Sequence, residues 1–143
     1  SDADEFRWPV RVYWEDTDAA GIVYYANYLK YLERARTEWL RALGCEQTEL
    51  ARRERVCFVV RAITVDFLRP ARLDDSLIVV ISRLRLGAGS VEMQQTITRG
   101  NERLLEAGVK LACVRIDSFH PVRLPHGVRE LLAGRSSGRP TQE

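Results

Sequence analysis

The order of elements along this chain predicts an α+β domain, with one strand, one long helix, and then four strands joined by short turns. Two observations carry that expectation. Over residues 26–43 the apolar positions Tyr28, Tyr31, Leu32, Ala35, Trp39 and Leu43 recur at spacings of three and four, which is a wide helical stripe. From Cys57 onward, four runs rich in β-branched and apolar residues are separated by turn signals too short to hold a helix. Strands that follow one another through short turns pair antiparallel, and this leaves one sheet face for the helix to cover.

Each element has its own signal. FRWPVRVYWED alternates aromatic and β-branched residues loosely and predicts a strand over 10–14, with Pro9 suited to a first position or an edge. The helix over 26–43 carries Lys30, Glu33, Arg34, Glu38 and Arg41 on its other side, where Arg34 and Glu38 can pair weakly, and Gly44 stops it. CFVVRAITVDFLRP predicts a strand over 57–70 ended by proline, and RLDDS the turn after it. Strands over 77–86 and 91–99 flank the turn GAGS. The GNE turn then introduces a strand over 104–117, in which Gly108 marks a bulge or bend. A short helix is expected over 128–133. One domain is expected over 1–134, with a disordered tail over 135–143 that has nothing to bury.

Composition excludes several classes. At 143 residues, with 45% apolar and 29% charged residues, the chain suits one globular domain with a real core. A net charge of +2 is too small to suggest nucleic-acid affinity. No apolar run approaches the ~18–20 residues that span a membrane, and the acidic start SDADEF is the opposite of a secretory signal. The 3 cysteines, Cys45, Cys57 and Cys113, are odd in number and widely spaced. Cys57 and Cys113 fall in apolar runs where buried thiols are common, so a reduced, cytoplasmic setting is expected.

The chain lacks HExxH, paired CxxC and P-loop signatures, and a Ser-His-Asp triad has no nucleophile elbow to support it. No metal or cofactor is expected. What remains is YWEDTDAAGIVYYANYL, which sets Glu15, Asp16 and Asp18 just before the long helix. A helix start presents N–H groups without intrahelical partners and the positive end of the macrodipole, so it stabilises an anion or an oxygen becoming one. Asp18 is close enough in sequence to lie beside that end, across a flexible Ala-Ala-Gly link. A carboxylate next to such donors is half of an acyl-transfer site. The same position also fits a helix cap, worth about 1 kcal/mol, or a turn-forming residue, and the residues alone leave these readings open. Glu15 and Asp16 read as solvated strand-end or turn residues.

At these residues the chain resembles a known family. RVYWEDTDAAGIVYYANYLKYLERARTEWLR is similar to the signature of hotdog-fold acyl-CoA thioesterases of the 4-hydroxybenzoyl-CoA thioesterase family, in the Tol-Pal-associated, YbgC-type branch. The likeness continues in FRWPVRV and VVRAITVDFLRPARLDDSL. The resemblance implies one long helix wrapped by a curved antiparallel sheet of about five strands, assembled as a homodimer or homotetramer with sites at the protomer interface. By position it implies that Asp18 is the catalytic carboxylate, as nucleophile or as base for water. It also implies that the backbone N–H of Tyr25 points at the thioester carbonyl. Tyr24, Asn27, Phe58, Val59, Gly89 and Ser90 are the weaker, substrate-binding candidates; Gly89 and Ser90 would let a pantetheine pass close to the backbone. The branch implies short aliphatic acyl groups, but its members often carry His where this chain has Tyr25, the residue of the 4-hydroxybenzoyl-CoA type, and this departure leaves an aromatic thioester open.

Three functions follow. The first is hydrolysis of acyl-CoA to free acid and thiol. The second is a binding protein for acyl carrier protein or a lipid-synthesis enzyme of the Tol-Pal envelope system, with vestigial hydrolysis. A hotdog dehydratase ranks last, because it would want a histidine near Asp18.

Overall fold

The computed structural model describes residues 5–136. Strand β1 (Phe6–Arg11) leads into one 3₁₀ turn (Trp14–Asp16), and helix α1 runs over Tyr25–Ala42. A short helix α2 (Gln47–Glu54) precedes the strands β2 (Val56–Phe67), β3 (Ser76–Leu86), β4 (Ser90–Arg99) and β5 (Glu102–Arg115), and helix α3 (His126–Ser136) closes the order. The strands form one 5-stranded sheet in the order β1-β3-β4-β5-β2, every pair antiparallel.

Helix α1 lies against one face of this sheet. Tyr31, Leu32, Ala35, Trp39 and Leu40 are buried along its stripe and meet a sheet face built from residues such as Leu77, Val79, Ile97 and Leu105. Fully burying side chains of this size contributes about 1.5–3 kcal/mol each, which fixes the helix to the sheet. Its C-terminus is a Schellman turn. Gly44 at φ +86 lets its own N–H reach Arg41 O at 3.0 Å while Cys45 N–H reaches Leu40 O at 2.8 Å.

Several expectations shift in detail. β1 is drawn back to Phe6–Arg11, since Phe6, Trp8 and Val10 alternate inward and Trp14 turns out to solvent. Pro9 is tolerated because β1 is an edge strand paired to β3 alone. Gly108 is not bulged: it pairs in register with Thr64 and Gln94, and the irregularity of the β2–β5 pair falls between Val60 and Ala62. Glu38 pairs with Arg41 at 2.7 Å rather than with Arg34. Helix α3 extends beyond 128–133 at both ends and takes in residues 135 and 136, which had been placed in the tail. Residues 137–143 lie outside the described residues. Helix α2 was not anticipated; QTELARRE buries only Leu50, too little apolar repetition to signal a helix. Among the described residues no helix is long and apolar enough to cross a membrane.

The α1 stripe also buries a charge. Arg36 is 9% exposed, and its Nη1 donates to Gln95 Oε1 at 2.9 Å; Gln95 Nε2 in turn donates to Leu32 O at 3.0 Å. Burial lowers the pKa of this guanidinium, and the nearby Glu33 carboxylate partly offsets it. The amide of Gln95 thus clamps helix to sheet through a polar bridge inside an apolar layer. Gln95→Leu keeps the volume and strands the guanidinium, so urea unfolding is expected to report a loss of about 3 kcal/mol. A loss below about 0.5 kcal/mol, the level of an ordinary surface substitution, would show that the bridge carries no stability.

Candidate active site

The segment between β1 and α1 is a defined hairpin, not a flexible link. Asp18 N–H donates to Ile22 O and Gly21 N–H donates to Asp18 O, both at 2.9 Å. This is a three-residue loop in which the last position must be left-handed, and Gly21 supplies φ +79. Thr17 bridges to Val23, and the returning strand is tied to the segment after β2 by Val23 N–H to Ala71 O at 2.8 Å and an Ile22–Arg72 bridge. Tyr28 completes the platform, since its hydroxyl accepts the Ala71 N–H at 2.9 Å. Burial, the largest influence, raises the pKa of that hydroxyl.

On this platform Asp18 is exposed, and its Oδ1 accepts the Ala20 N–H at 2.9 Å. That hydrogen bond orients the carboxylate from its own turn. Asp18 does not cap α1. The N-cap is Tyr24, in extended backbone at φ −66 and ψ 133, with no side-chain cap. Tyr24 N–H is taken by Asp16 O at 3.1 Å, and Asn27 N–H by Tyr24 O at 2.8 Å. Among the described residues no hydrogen bond takes the N–H groups of Tyr25 and Ala26 outside the helix. The first turn of α1 is therefore a pair of open donors at the positive end of an 18-residue helix.

The aromatic residues around it are largely uncovered. Tyr25 is 63% exposed and Trp14 78%. The Tyr25 ring meets Tyr24 at 5.0 Å and the edge of Phe67, at the end of β2, at 6.4 Å.

The remaining candidates fall in three places. Asn27 is half-buried and donates Nδ2 to Asp16 O at 2.9 Å. Phe58 and Val59 line a cavity of about 310 Å³ with Arg36, Thr37 and Leu40, further along α1 from its start. Gly89 lies against the chain before α3: a Cβ there would meet Val122 O at 2.3 Å, and Gly89 O accepts the Cys113 N–H at 2.9 Å. Ser90 opens β4 beside it, half-buried. Sequence reasoning passed over Asp16, whose carboxylate accepts the Tyr13 N–H at 2.9 Å and whose backbone carbonyl takes two donors.

The buried cysteines offer no ready nucleophile. Cys45 and Cys113 are buried, whereas Cys57 is only half-buried. Burial pushes the Cys113 thiol up to about 11, with Cys57 and Cys45 adding to the rise. A thiol held that high is not a thiolate near neutrality.

A turn-anchored carboxylate on the hairpin that leads into a helix start with open N–H donors is an arrangement compatible with the acyl-transfer class of hydrolase. Comparison with known proteins narrows the class. The family described as "Thioesterase superfamily" matches residues 20–106. The chain is 47% identical over 125 residues to the acyl-CoA thioester hydrolase YbgC of Escherichia coli O6:H1, covering 86% of this chain and 92% of the relative. It is 41% identical over 124 residues to the acyl-CoA thioesterase YbgC of Haemophilus influenzae, covering 87% and 91%. A crystal structure of a probable thioesterase from Bartonella henselae superposes with a TM-score of 0.80 at 38% identity, covering 85% of this chain and 99% of that one. The chain belongs to the thioesterase superfamily, in its YbgC-type hotdog branch, and is a thioester hydrolase.

The raised Cys113 pKa makes stability depend on pH in one direction. Its folded value lies above the ordinary 9.0, so ionisation favours the unfolded chain. Stability is complete below about pH 9 and declines as pH rises toward about 11. Denaturant melts between pH 8 and 11 are expected to show this decline, and Cys113→Ala to lessen it, with the raised Cys45 and Tyr28 pKa values leaving the remainder; an equal slope in both proteins would remove Cys113 as a cause.

Proposed function

We propose that this protein hydrolyses short-chain acyl-CoA, with Asp18 as the reacting carboxylate and the N–H of Tyr25 as the oxyanion donor. The observation that carries the reading is the pairing on one hairpin of an oriented carboxylate with an uncapped helix start. The named activity of the YbgC relatives supports the acyl-CoA substrate.

Negative charge gathers on the thioester oxygen as the carbonyl is attacked, and a donor in place beforehand stabilises it at no reorganisation cost. Asp18 serves either of two balanced routes. As nucleophile it bonds to the carbonyl carbon, the C–S bond breaks, the thiolate leaves, and water then opens the mixed anhydride. As base it takes a proton from water, whose oxygen attacks the same carbon and expels the thiolate. Both routes end in free acid and thiol and need neither metal nor redox cofactor.

The reading includes a second copy of the chain. β2 sits at a sheet edge, and its row Phe58, Val60, Ile63, Val65 and Phe67 shares a face with the buried side of β5. Val60 is 47% exposed and Phe67 52%. A long apolar edge of this kind is ordinarily paired or covered, and a partner protomer would wall the open side of the Asp18 hairpin. We assign the protein to the cytoplasm on the same reading. A role in capturing acyl carrier protein within the Tol-Pal envelope system becomes the leading reading only if the hydrolysis below fails.

Thiol release from an acetyl- to palmitoyl-CoA and 4-hydroxybenzoyl-CoA panel tests the site. Asp18→Asn is expected to lose about 10²–10⁴-fold in kcat while staying folded. Tyr25 is the first helical residue and Tyr24 is already extended, so Tyr25→Pro deletes the N–H while leaving the helix intact. It should cost about 10²–10³-fold in kcat, against little change for Tyr25→Phe. Equal activity of the proline and phenylalanine variants would place the oxyanion donor elsewhere.

The assembly has its own check. Val60→Lys and Ile63→Lys are expected to shift the mass seen by light scattering toward one protomer. An unchanged mass would take β2 out of the interface.

A further inference from the structure

We infer that Asp16 and Asn27 are positioning residues that hold the start of α1 in place relative to Asp18; this rests on the proposed roles of Asp18 and the Tyr25 N–H. Asp18 is two residues past Asp16 and Tyr25 one residue past Tyr24, and the Asp16 carbonyl joins the two sides. It accepts the Tyr24 N–H at 3.1 Å and Asn27 Nδ2 at 2.9 Å. Asn27 N–H donates to Tyr24 O at 2.8 Å, so Asn27 holds the cap residue from its own helix and the hairpin from its side chain.

Asp16 is itself held. Its carboxylate accepts the Tyr13 N–H at 2.9 Å, closing the 3₁₀ turn, and its other flank faces the Tyr31 hydroxyl. Tyr31 is 1% exposed, and its buried hydroxyl completes no hydrogen bond among the described residues. Burial first, and the neighbouring Asp16 carboxylate after it, raises its pKa. The Asp16 carboxylate is thus tied to the Tyr13 N–H within the 3₁₀ turn, which restrains its carbonyl from turning away. The Nδ2 donor of Asn27 is engaged inside this frame rather than presented to a ligand.

Such a frame acts on the chemical step and not on binding. If the donor and the carboxylate drift apart, the thioester still docks but the attack and the oxyanion no longer coincide. The test is steady-state kinetics with the best acyl-CoA of the panel, with thermal melts as the check on folding. Asn27→Ala is expected to lower kcat about tenfold to a hundredfold with KM within about twofold. Asn27→Ser, which keeps a donor, should recover part of that loss and carries the same comparison if Asn27→Ala does not fold. Asp16→Asn keeps an acceptor for Tyr13 and should lose less than Asp16→Ala. The double variant with alanine at both positions should lose less than the product of its single losses.

A rise in KM with kcat unchanged would make Asn27 a substrate contact and overturn the inference. So would a wild-type kcat in Asn27→Ala. Asp18→Asn, measured beside them, separates the two levels. An inactive Asp18→Asn with a fully active Asn27→Ala sinks the positioning role alone, whereas an active Asp18→Asn sinks the site reading beneath it.

Discussion

Everything in this molecule is referred to one packed seam, the apolar stripe of α1 against the sheet. Tyr31, Leu32, Ala35, Trp39 and Leu40 disappear from solvent there, and the Gln95 clamp sets the depth at which they sit. The seam buries the inward stripe of α1 from Tyr28 to Leu40, and the helical residues before Tyr28 stay half-buried or exposed. An uncapped helix start carries the positive end of the macrodipole, and the packing of the helix sets its direction. The hairpin before it and the segment after β2 only need to bring a carboxylate alongside.

The seam and the meander were legible because they are repetitive. Spacings of three and four announced α1, and β3 and β4 fall within one residue of where their apolar runs predict them. The position of Asp18 was legible through resemblance and not through periodicity, since a cap and a reacting carboxylate look alike in one sequence. The structure gives the N-cap to Tyr24 and places the Asp18 carboxylate in its own turn, on the Ala20 N–H. What stayed hidden was work done by the main chain. The Asp16 carbonyl accepts two donors, and no side-chain pattern marks a carbonyl. Arg36 was hidden for a different reason: a charged residue on an apolar stripe reads as an interruption until its partner, 59 positions away, is seen.

The glycines divide along similar lines. Gly21 and Gly44 both stand in left-handed backbone, but the helix-stop signal anticipates Gly44 alone. Gly87 and Gly89 have no such φ. They are small because Ser90 and Val122 occupy the space a methyl group would need. The GAGS turn is thereby packed against the chain that leads into α3, and the two ends of the fold share a wall.

The placement of β2 has a consequence for how the chain is made. Its twelve residues pair only with β5, the last strand to be synthesised. Between the emergence of Phe67 and of Arg115 a ribosome adding ~5–20 residues per second needs on the order of 2–10 s. Throughout that interval an apolar strand waits with both edges open, beside a helix that is already able to form. β2 can close onto β5 only once β5 has emerged, when β3 and β4 are already available to pair beside it. Nascent chains of this protein are then most vulnerable to one another during those seconds, through the same strand that ends at the sheet edge in the finished fold.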